Sequence, residues 1–127
     1  MPLLLSPFEF IRDRRRILRM AHAKPSPKAV YLAWLQLRRV PKAHRAQPLT
    51  IELGRTVIHG QNWAELDFLF NEVFIGDEYF VKLPRRDPLI IDCGANIGCA
   101  TLYFKLHYPD ARIIAFEPNP FCFEVLK

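Results

Sequence analysis

Apolar residues follow two different spacings in the first part of the chain. Between residues 29 and 40, and again between 62 and 75, they recur every three or four positions, which predicts two helices that each bury one face. Between residues 50 and 60 apolar and polar residues alternate around Gly54, which predicts a β-hairpin, because glycine supplies the positive φ of a two-residue turn.

Several residues mark where these helices begin and end. Residues 24–28 form a proline-rich break, and Pro41 ends the helix that follows it. Asn62, with Glu65 three positions later, resembles a capping box at the start of the other helix. Gly76 is the expected end of that helix, since glycine is common just after a helix C-terminus.

Two continuous apolar runs in the second half predict strands. Residues 88–92 and 111–117 have the pattern of parallel strands buried on both faces. Residues 97–107 between them have a helical pattern, and Asn119 followed by Pro120 starts another helix. The predicted fold class is therefore α/β, with the first βαβα of a parallel sheet preceded by N-terminal helices and a β-hairpin.

Positive charge is concentrated at the start of the chain. The net charge is +5, but residues 1–45 hold 11 Lys or Arg against 2 acids, and residues 46–127 hold 7 against 11. We therefore divide the chain into a basic helical segment, 1–45, and an α/β domain, 46–127. A helix predicted over residues 8–22 carries five arginines, which suit either an anionic partner or a solvated arm. Nucleic acid is not expected, because no stacking aromatics are interleaved with these arginines.

Composition argues against several other classes of protein. The three cysteines form no CxxC pair and the four histidines are scattered, so we expect reduced thiols and no metal site. No run approaches the roughly 20 apolar residues of a transmembrane helix. The start of the chain lacks the basic residues that precede the apolar core of a signal peptide, so we expect a cytoplasmic location.

The turn between the first predicted parallel strand and its helix carries the chemistry. Gly94 lets the chain turn sharply, Asn96 tolerates a left-handed conformation, and Gly98 allows a close approach of backbone or ligand. Glu117 ends the next strand, 19 residues after Gly98, where a carboxylate can accept both hydroxyls of a ribose. Together these features predict a nucleoside-containing cofactor at the carboxyl ends of the strands.

The residues at this turn favour one class of cofactor. The dinucleotide fingerprint G-x-G-x-x-G, started at Gly94, needs glycine at positions 96 and 99, where the chain has Asn96 and Cys99. An acid such as Asp92 disfavours a pyrophosphate but suits a cationic sulfonium with an ammonium group. This argument points to S-adenosylmethionine, and a nucleotide-binding, oxidoreductase-like Rossmann fragment is the less favoured alternative.

D-C-G-A-N-I-G at residues 92–98 and A-F-E-P-N-P at 115–120 resemble the FkbM-type family of S-adenosylmethionine-dependent methyltransferases. F-N-E-V-F-I-G-D-E-Y-F, at 70–80, is similar to the segment that precedes the motif in that family, and the resemblance covers residues 48–127. It implies a Rossmann-like methyltransferase fold and O-methylation of a small-molecule or glycan hydroxyl. It also implies that the methionine side of the cofactor is lined by Asp92, Gly94, Ala95, Asn96 and Gly98. By the same resemblance the ribose is bound by Glu117, with Pro118 and Asn119 beside the adenosine.

The reaction itself is less well defined by the sequence. Neither His59 nor His107 stands out as a catalytic base, and the catalytic residues are unassigned. A complete sheet of this kind needs further βα units after Lys127, so we expect a truncated form in which the strand at 88–92 has an unpaired apolar edge. A non-catalytic remnant, or an interaction protein that works through its arginine-rich helix, is the alternative.

Overall fold

The computed structural model describes residues 25–127, so the helix predicted over residues 8–22 lies outside the described part. The described elements combine α and β structure, as predicted. In chain order they are α1 (Pro27–Arg39), a 3₁₀ turn (Lys42–His44), β1 (Leu49–Leu53), β2 (Thr56–Gly60), α2 (Trp63–Phe70) continued by a π-helical turn (Asn71–Ile75), β3 (Leu89–Cys93), α3 (Cys99–His107), β4 (Arg112–Phe116) and α4 (Pro120–Leu126).

The four strands form two separate two-stranded sheets. β1 and β2 are the predicted antiparallel hairpin, in which Ile51 pairs with Ile58 and Gly54 has a φ of +67° in the turn. β3 and β4 pair in parallel, with a register that runs from Leu89 opposite Arg112 to Cys93 opposite Phe116. Because α3 connects the two parallel strands, the predicted β–α–β–α order is confirmed.

Helix α1 begins earlier than the sequence pattern predicted. We expected a break over residues 24–28, but the helix starts at Pro27 within it. Ser26 caps the helix by accepting a hydrogen bond from the Ala29 N–H at 3.3 Å. Proline fits the first helical position because its missing N–H would have no intrahelical partner there. The proline-rich stretch therefore contains the N-cap, Ser26, and the first residue, Pro27, of α1.

The two ends of α2 follow the prediction in position but differ in detail. At the start, Asn62 accepts from the Glu65 N–H at 3.0 Å, while Glu65 accepts from the Gln61 N–H instead of the Asn62 N–H. At the end, Gly76 has an ordinary φ of −67°, and the left-handed residue is Asp77, with a φ of +57°. Glycine is needed at 76 for space, because an added Cβ would lie 2.5 Å from the Glu72 carbonyl oxygen.

One hydrophobic core joins the hairpin, α1, α2 and α3. Trp34 of α1 and Ile51 of β1 are both buried in it. Phe74 connects this region to α3, because its ring centroid lies 5.2 Å from that of Phe70 and 6.0 Å from that of Tyr103 in α3. The α3 helix and the turn before it are thus held against the rest of the chain by aromatic contacts.

The parallel strands are not buried on both faces, which corrects the prediction. Along each strand exposed residues alternate with half-buried ones, and the exposed face carries Leu89, Ile91, Ile114 and Phe116. Within residues 25–127, β3 pairs only with β4, and its other edge is unpaired in this range. An apolar run shows that a strand lies against apolar surroundings but does not tell how many of its faces are covered.

The three cysteines are unpaired, as predicted, but only Cys99 and Cys122 are buried, while Cys93 is exposed. Burial raises the pKa of Cys99 to about 12, with a smaller contribution from the charge of Glu65. An unfolded cysteine loses its proton at about pH 8.5. Between about pH 8.5 and about pH 12, the Cys99 thiol therefore keeps its proton in the folded state but has lost it in the unfolded state.

The free energy of unfolding is therefore expected to fall as the pH rises through this window, by up to about 1.4 kcal/mol per pH unit from this group. Urea unfolding at about pH 8 and about pH 10 checks this in the wild type and in Cys99→Ala. We expect the wild type to lose more stability than the variant between the two pH values. Equal losses would show that Cys99 does not titrate as its burial implies.

Candidate functional site

The turn between β3 and α3 is fastened to the end of the neighbouring strand. The Gly94 and Ala95 N–H groups both donate to the Phe116 carbonyl, at 2.8 and 3.0 Å. Within the turn, the Gly98 N–H donates to the Ala95 carbonyl at 2.8 Å. The predicted residues at the ends of β3 and β4 are thus brought together at one edge of the sheet.

The alternating Gly94, Asn96 and Gly98 have a common explanation in the backbone. Their φ angles are +83°, +51° and +87°, so every second residue of the turn is left-handed, which the sequence indicated for Asn96 alone. A Cβ at Gly94 would meet no atom within 4 Å, so the space beside the turn is open there. A Cβ at Gly98 would lie 2.8 Å from the Leu126 side chain, which shows how closely α4 approaches the start of α3.

Gly94→Ala is expected to lower the free energy of unfolding by about 1–2 kcal/mol, because an L-residue is strained at this φ although the Cβ meets nothing. Gly94→Asn is the matched variant, and its loss should be smaller since asparagine tolerates the left-handed region. Urea unfolding measures both values. An alanine variant as stable as the wild type would mean that the turn does not need a positive φ at this position.

Glu117 connects the turn to the start of α4. Its Oε2 accepts from the Asn96 N–H at 2.6 Å, and its Oε1 accepts from the Asn119 N–H at 2.7 Å. Sequence reasoning placed Glu117 at the site but did not predict that Asn96 is its partner. The residues that bind each other are 21 positions apart, so no local pattern pairs them. A carboxylate has about four acceptor sites, so Glu117 can still accept hydroxyl hydrogens.

The residues after Glu117 form the start of α4, as predicted. Asn119 is the N-cap and accepts from the Phe121 N–H at 2.9 Å, with Pro120 as the first helical residue. Pro118 lies between Glu117 and this cap and is exposed. The chain therefore passes from the end of β4 into α4 within three residues.

Asp92, the last acid of β3, is half-buried and oriented by α3. The Thr101 hydroxyl donates to its Oδ2 at 2.5 Å. This contact fixes one carboxylate oxygen, and the other, which has no hydrogen bond within residues 25–127, can accept one from a cation. Thr101 was not predicted as part of the site, although a hydroxyl in the first turn of the following helix was a visible signal.

The arrangement fits a cationic ligand with hydroxyl groups. Asp92 and Glu117 supply two carboxylates, and the buried Oδ1 of Asn96 accepts no hydrogen bond in the described part of the chain. These groups are acceptors, which suit ammonium, sulfonium and hydroxyl groups and repel a pyrophosphate. A phosphate-binding site needs hydrogen-bond donors, whereas the side chains here supply acceptors, namely two carboxylates and an amide oxygen.

His59 and His107 have structural contacts away from this turn. His59 Nδ1 lies 2.9 Å from the Thr50 hydroxyl oxygen in the hairpin, and His107 Nδ1 lies 3.0 Å from the Tyr103 carbonyl oxygen at the end of α3. Among residues 25–127, no three His, Cys, Asp or Glu side chains group as metal ligands. No helix in that range is long and apolar enough to cross a membrane.

Comparison with curated proteins relates the chain to methyltransferases. Methyltransferase sdnD of Sordaria araneosa is 40% identical over 80 residues, which are 63% of this chain and 31% of that protein. Methyltransferase 1 of Beauveria bassiana is 43% identical over 63 residues, 50% of this chain and 25% of that protein. The 31-O-demethyl-FK506 methyltransferase FkbM of Streptomyces tacrolimicus is 37% identical over 84 residues, 64% of this chain and 32% of that protein.

The chain spans about a quarter to a third of the length of these relatives. No family model and no solved structure matches it. The resemblance drawn from the two sequence motifs nevertheless agrees with these relatives, since all three are methyltransferases and one of them is an FkbM methyltransferase. Over half to about two thirds of its residues, the chain is similar to three methyltransferases, one of which is an FkbM methyltransferase.

Proposed function

We propose that the chain binds S-adenosylmethionine at the turn between β3 and α3 and contributes this site to a methyltransferase. The observation that carries the proposal is the position of Glu117. Its carboxylate is hydrogen-bonded both to the left-handed turn and to the start of α4, so it lies between the two halves of the site. The similarity to three methyltransferases supports the choice of cofactor.

The residues of the site divide between the two ends of the cofactor. The cationic methionine end would lie beside Asp92 and the open space at Gly94, in a turn completed by Ala95, Asn96 and Gly98. Glu117 would accept the ribose hydroxyls, with Pro118 and Asn119 beside the adenosine. A nearby carboxylate stabilises the positive charge, and the effect is larger in a partly buried site than in water.

We further propose that the acceptor is a hydroxyl group of a small molecule or glycan. One relative is named as a 31-O-demethyl-FK506 methyltransferase, which supports transfer to oxygen. The bound cofactor would supply an electrophilic methyl group, and the residues of the turn would hold it in a fixed orientation. In the described part of the chain, His59 and His107 contact other groups, so neither is assigned as the base that removes the hydroxyl proton.

Calorimetric titration of the chain with S-adenosylmethionine tests this proposal, with NAD⁺ titrated in parallel. We expect saturable binding of S-adenosylmethionine and none of NAD⁺ at the same concentration. Binding of NAD⁺ alone would favour the oxidoreductase-like alternative. Binding of neither by the folded chain would overturn the proposal and favour a non-catalytic role.

A further inference from the structure

The segment between α2 and β3 lies along α3, beside the proposed cofactor site. The Tyr103 hydroxyl donates to the Asp77 carboxylate. The Tyr79 ring meets the Phe104 ring edge-on, with centroids 6.2 Å apart, and the Phe80 ring lies 6.3 Å from the His107 ring. Three successive contacts therefore fix residues 77–80, which we call the strap, onto this helix.

Tyr79 packs against α3 near Thr101, the residue of this helix that contacts Asp92. Its ring packs on Phe104, which is three residues after Thr101, the residue that donates to Asp92. Residues three apart on a helix are neighbours on one face. In agreement, the pKa of Tyr79 is raised, first by burial and then by the charges of Glu72, Asp92 and Glu78. The Tyr79 hydroxyl thus keeps its proton and can donate a hydrogen bond on the side of α3 that carries Thr101.

The hydroxyls of neighbouring tyrosines have structural partners, whereas that of Tyr79 has none among residues 25–127. Tyr103 donates to Asp77. The Tyr108 hydroxyl donates to the Val81 carbonyl at 2.6 Å and accepts from the Leu83 N–H at 2.9 Å. Tyr79 keeps 38% of its surface exposed, and its ring contact with Phe104 requires no hydroxyl. The described contacts of Tyr79 therefore do not use its hydroxyl, which stays available to a ligand.

We propose that Tyr79 binds the amino-acid end of the cofactor, by donating its hydroxyl to the methionine carboxylate while Asp92 accepts from the ammonium group. This inference rests on the proposed function and extends it to the strap, outside the two motifs. An α-amino acid carries one group of each charge, so a neutral donor beside a carboxylate acceptor matches both. The pair distinguishes the full cofactor from nucleosides that lack the amino acid.

Tyr79→Phe tests the role of the hydroxyl, with S-adenosylmethionine and 5′-methylthioadenosine as the two titrated ligands. The second ligand keeps the adenosine and the sulfur but lacks the amino acid. We expect the variant to bind S-adenosylmethionine about tenfold to a hundredfold more weakly, since a hydrogen bond to a charged group is lost. Its affinity for 5′-methylthioadenosine should remain within about twofold of the wild type, a margin of about 0.4 kcal/mol.

Tyr108→Phe is the matched control, since it removes a hydroxyl that holds backbone groups. We expect it to lower the thermal unfolding temperature without changing the ratio of the two affinities. A Tyr79→Phe variant that binds both ligands as the wild type does, or that loses both equally, would overturn the inference. A wild type that fails to bind S-adenosylmethionine would instead overturn the proposed function, and this inference with it.

Discussion

Phe74→Ala is expected to lower the free energy of unfolding by about 3–5 kcal/mol, because it removes a fully buried ring and leaves a cavity. The ring lies between Phe70 and Tyr103, so it joins the helix after the hairpin to the helix that follows the turn. A domain of this size has a total stability of about 5–15 kcal/mol, so the loss is a large part of it. Urea unfolding followed by circular dichroism measures the change.

Phe68→Ala is the matched control, since Phe68 lies on the same helix and keeps 65% of its surface exposed. We expect it to change the free energy of unfolding by no more than about 0.5 kcal/mol. If the two variants lose similar stability, the aromatic contacts across Phe74 do not hold the two halves of the molecule together.

Glu117→Gln is expected to weaken binding of S-adenosylmethionine by at least about a hundredfold. The carboxylate accepts from the Asn96 and Asn119 N–H groups through its two oxygens. An amide keeps only one oxygen, so one of the two N–H groups would face an NH₂ group and lose its acceptor. Losing that bond and the negative charge should also cost about 1–3 kcal/mol of stability. Calorimetric titration and urea unfolding measure the two effects.

Glu124→Gln is the control for Glu117→Gln, because it removes the same charge from an exposed pair with Lys127. Exposed ion pairs contribute about 0–1 kcal/mol, so we expect little change in stability and none in binding. Equal binding by Glu117→Gln and the wild type would show that this carboxylate does not contact the ligand. It would also show that the turn keeps its shape without the carboxylate.

The shape of the turn could be predicted from single residues, whereas the bonds that fix it could not. Gly94, Asn96 and Gly98 are residue types that tolerate positive φ, and all three have it. The hydrogen bonds of Phe116 and Glu117 to the turn join segments about 20 positions apart. Such pairs depend on the parallel register of the strands, which residue type alone does not give.

The same contrast between local residue type and distant contacts explains where the predicted fold and the structure differ. Gly76 ends the helix, as predicted, but no local pattern shows that the short distance to the Glu72 carbonyl oxygen is what requires glycine there or that Asp77 takes the positive φ. The apolar positions of β3 and β4 predicted strands correctly but not that Ile91 and Ile114 are exposed. Burial depends on which other elements pack on the sheet, and a strand's own sequence does not contain that information.

The most direct test of the proposed site is to locate the ligand on the chain. Adding S-adenosylmethionine to the isotopically labelled protein and following its amide resonances by NMR gives that location. We expect the resonances of residues 94–98 and 117–119 to shift with ligand concentration, while those of the β1–β2 hairpin stay unchanged. Shifts confined to the hairpin, or no shifts from the folded chain at saturating ligand, would contradict the assignment of this turn as the cofactor site.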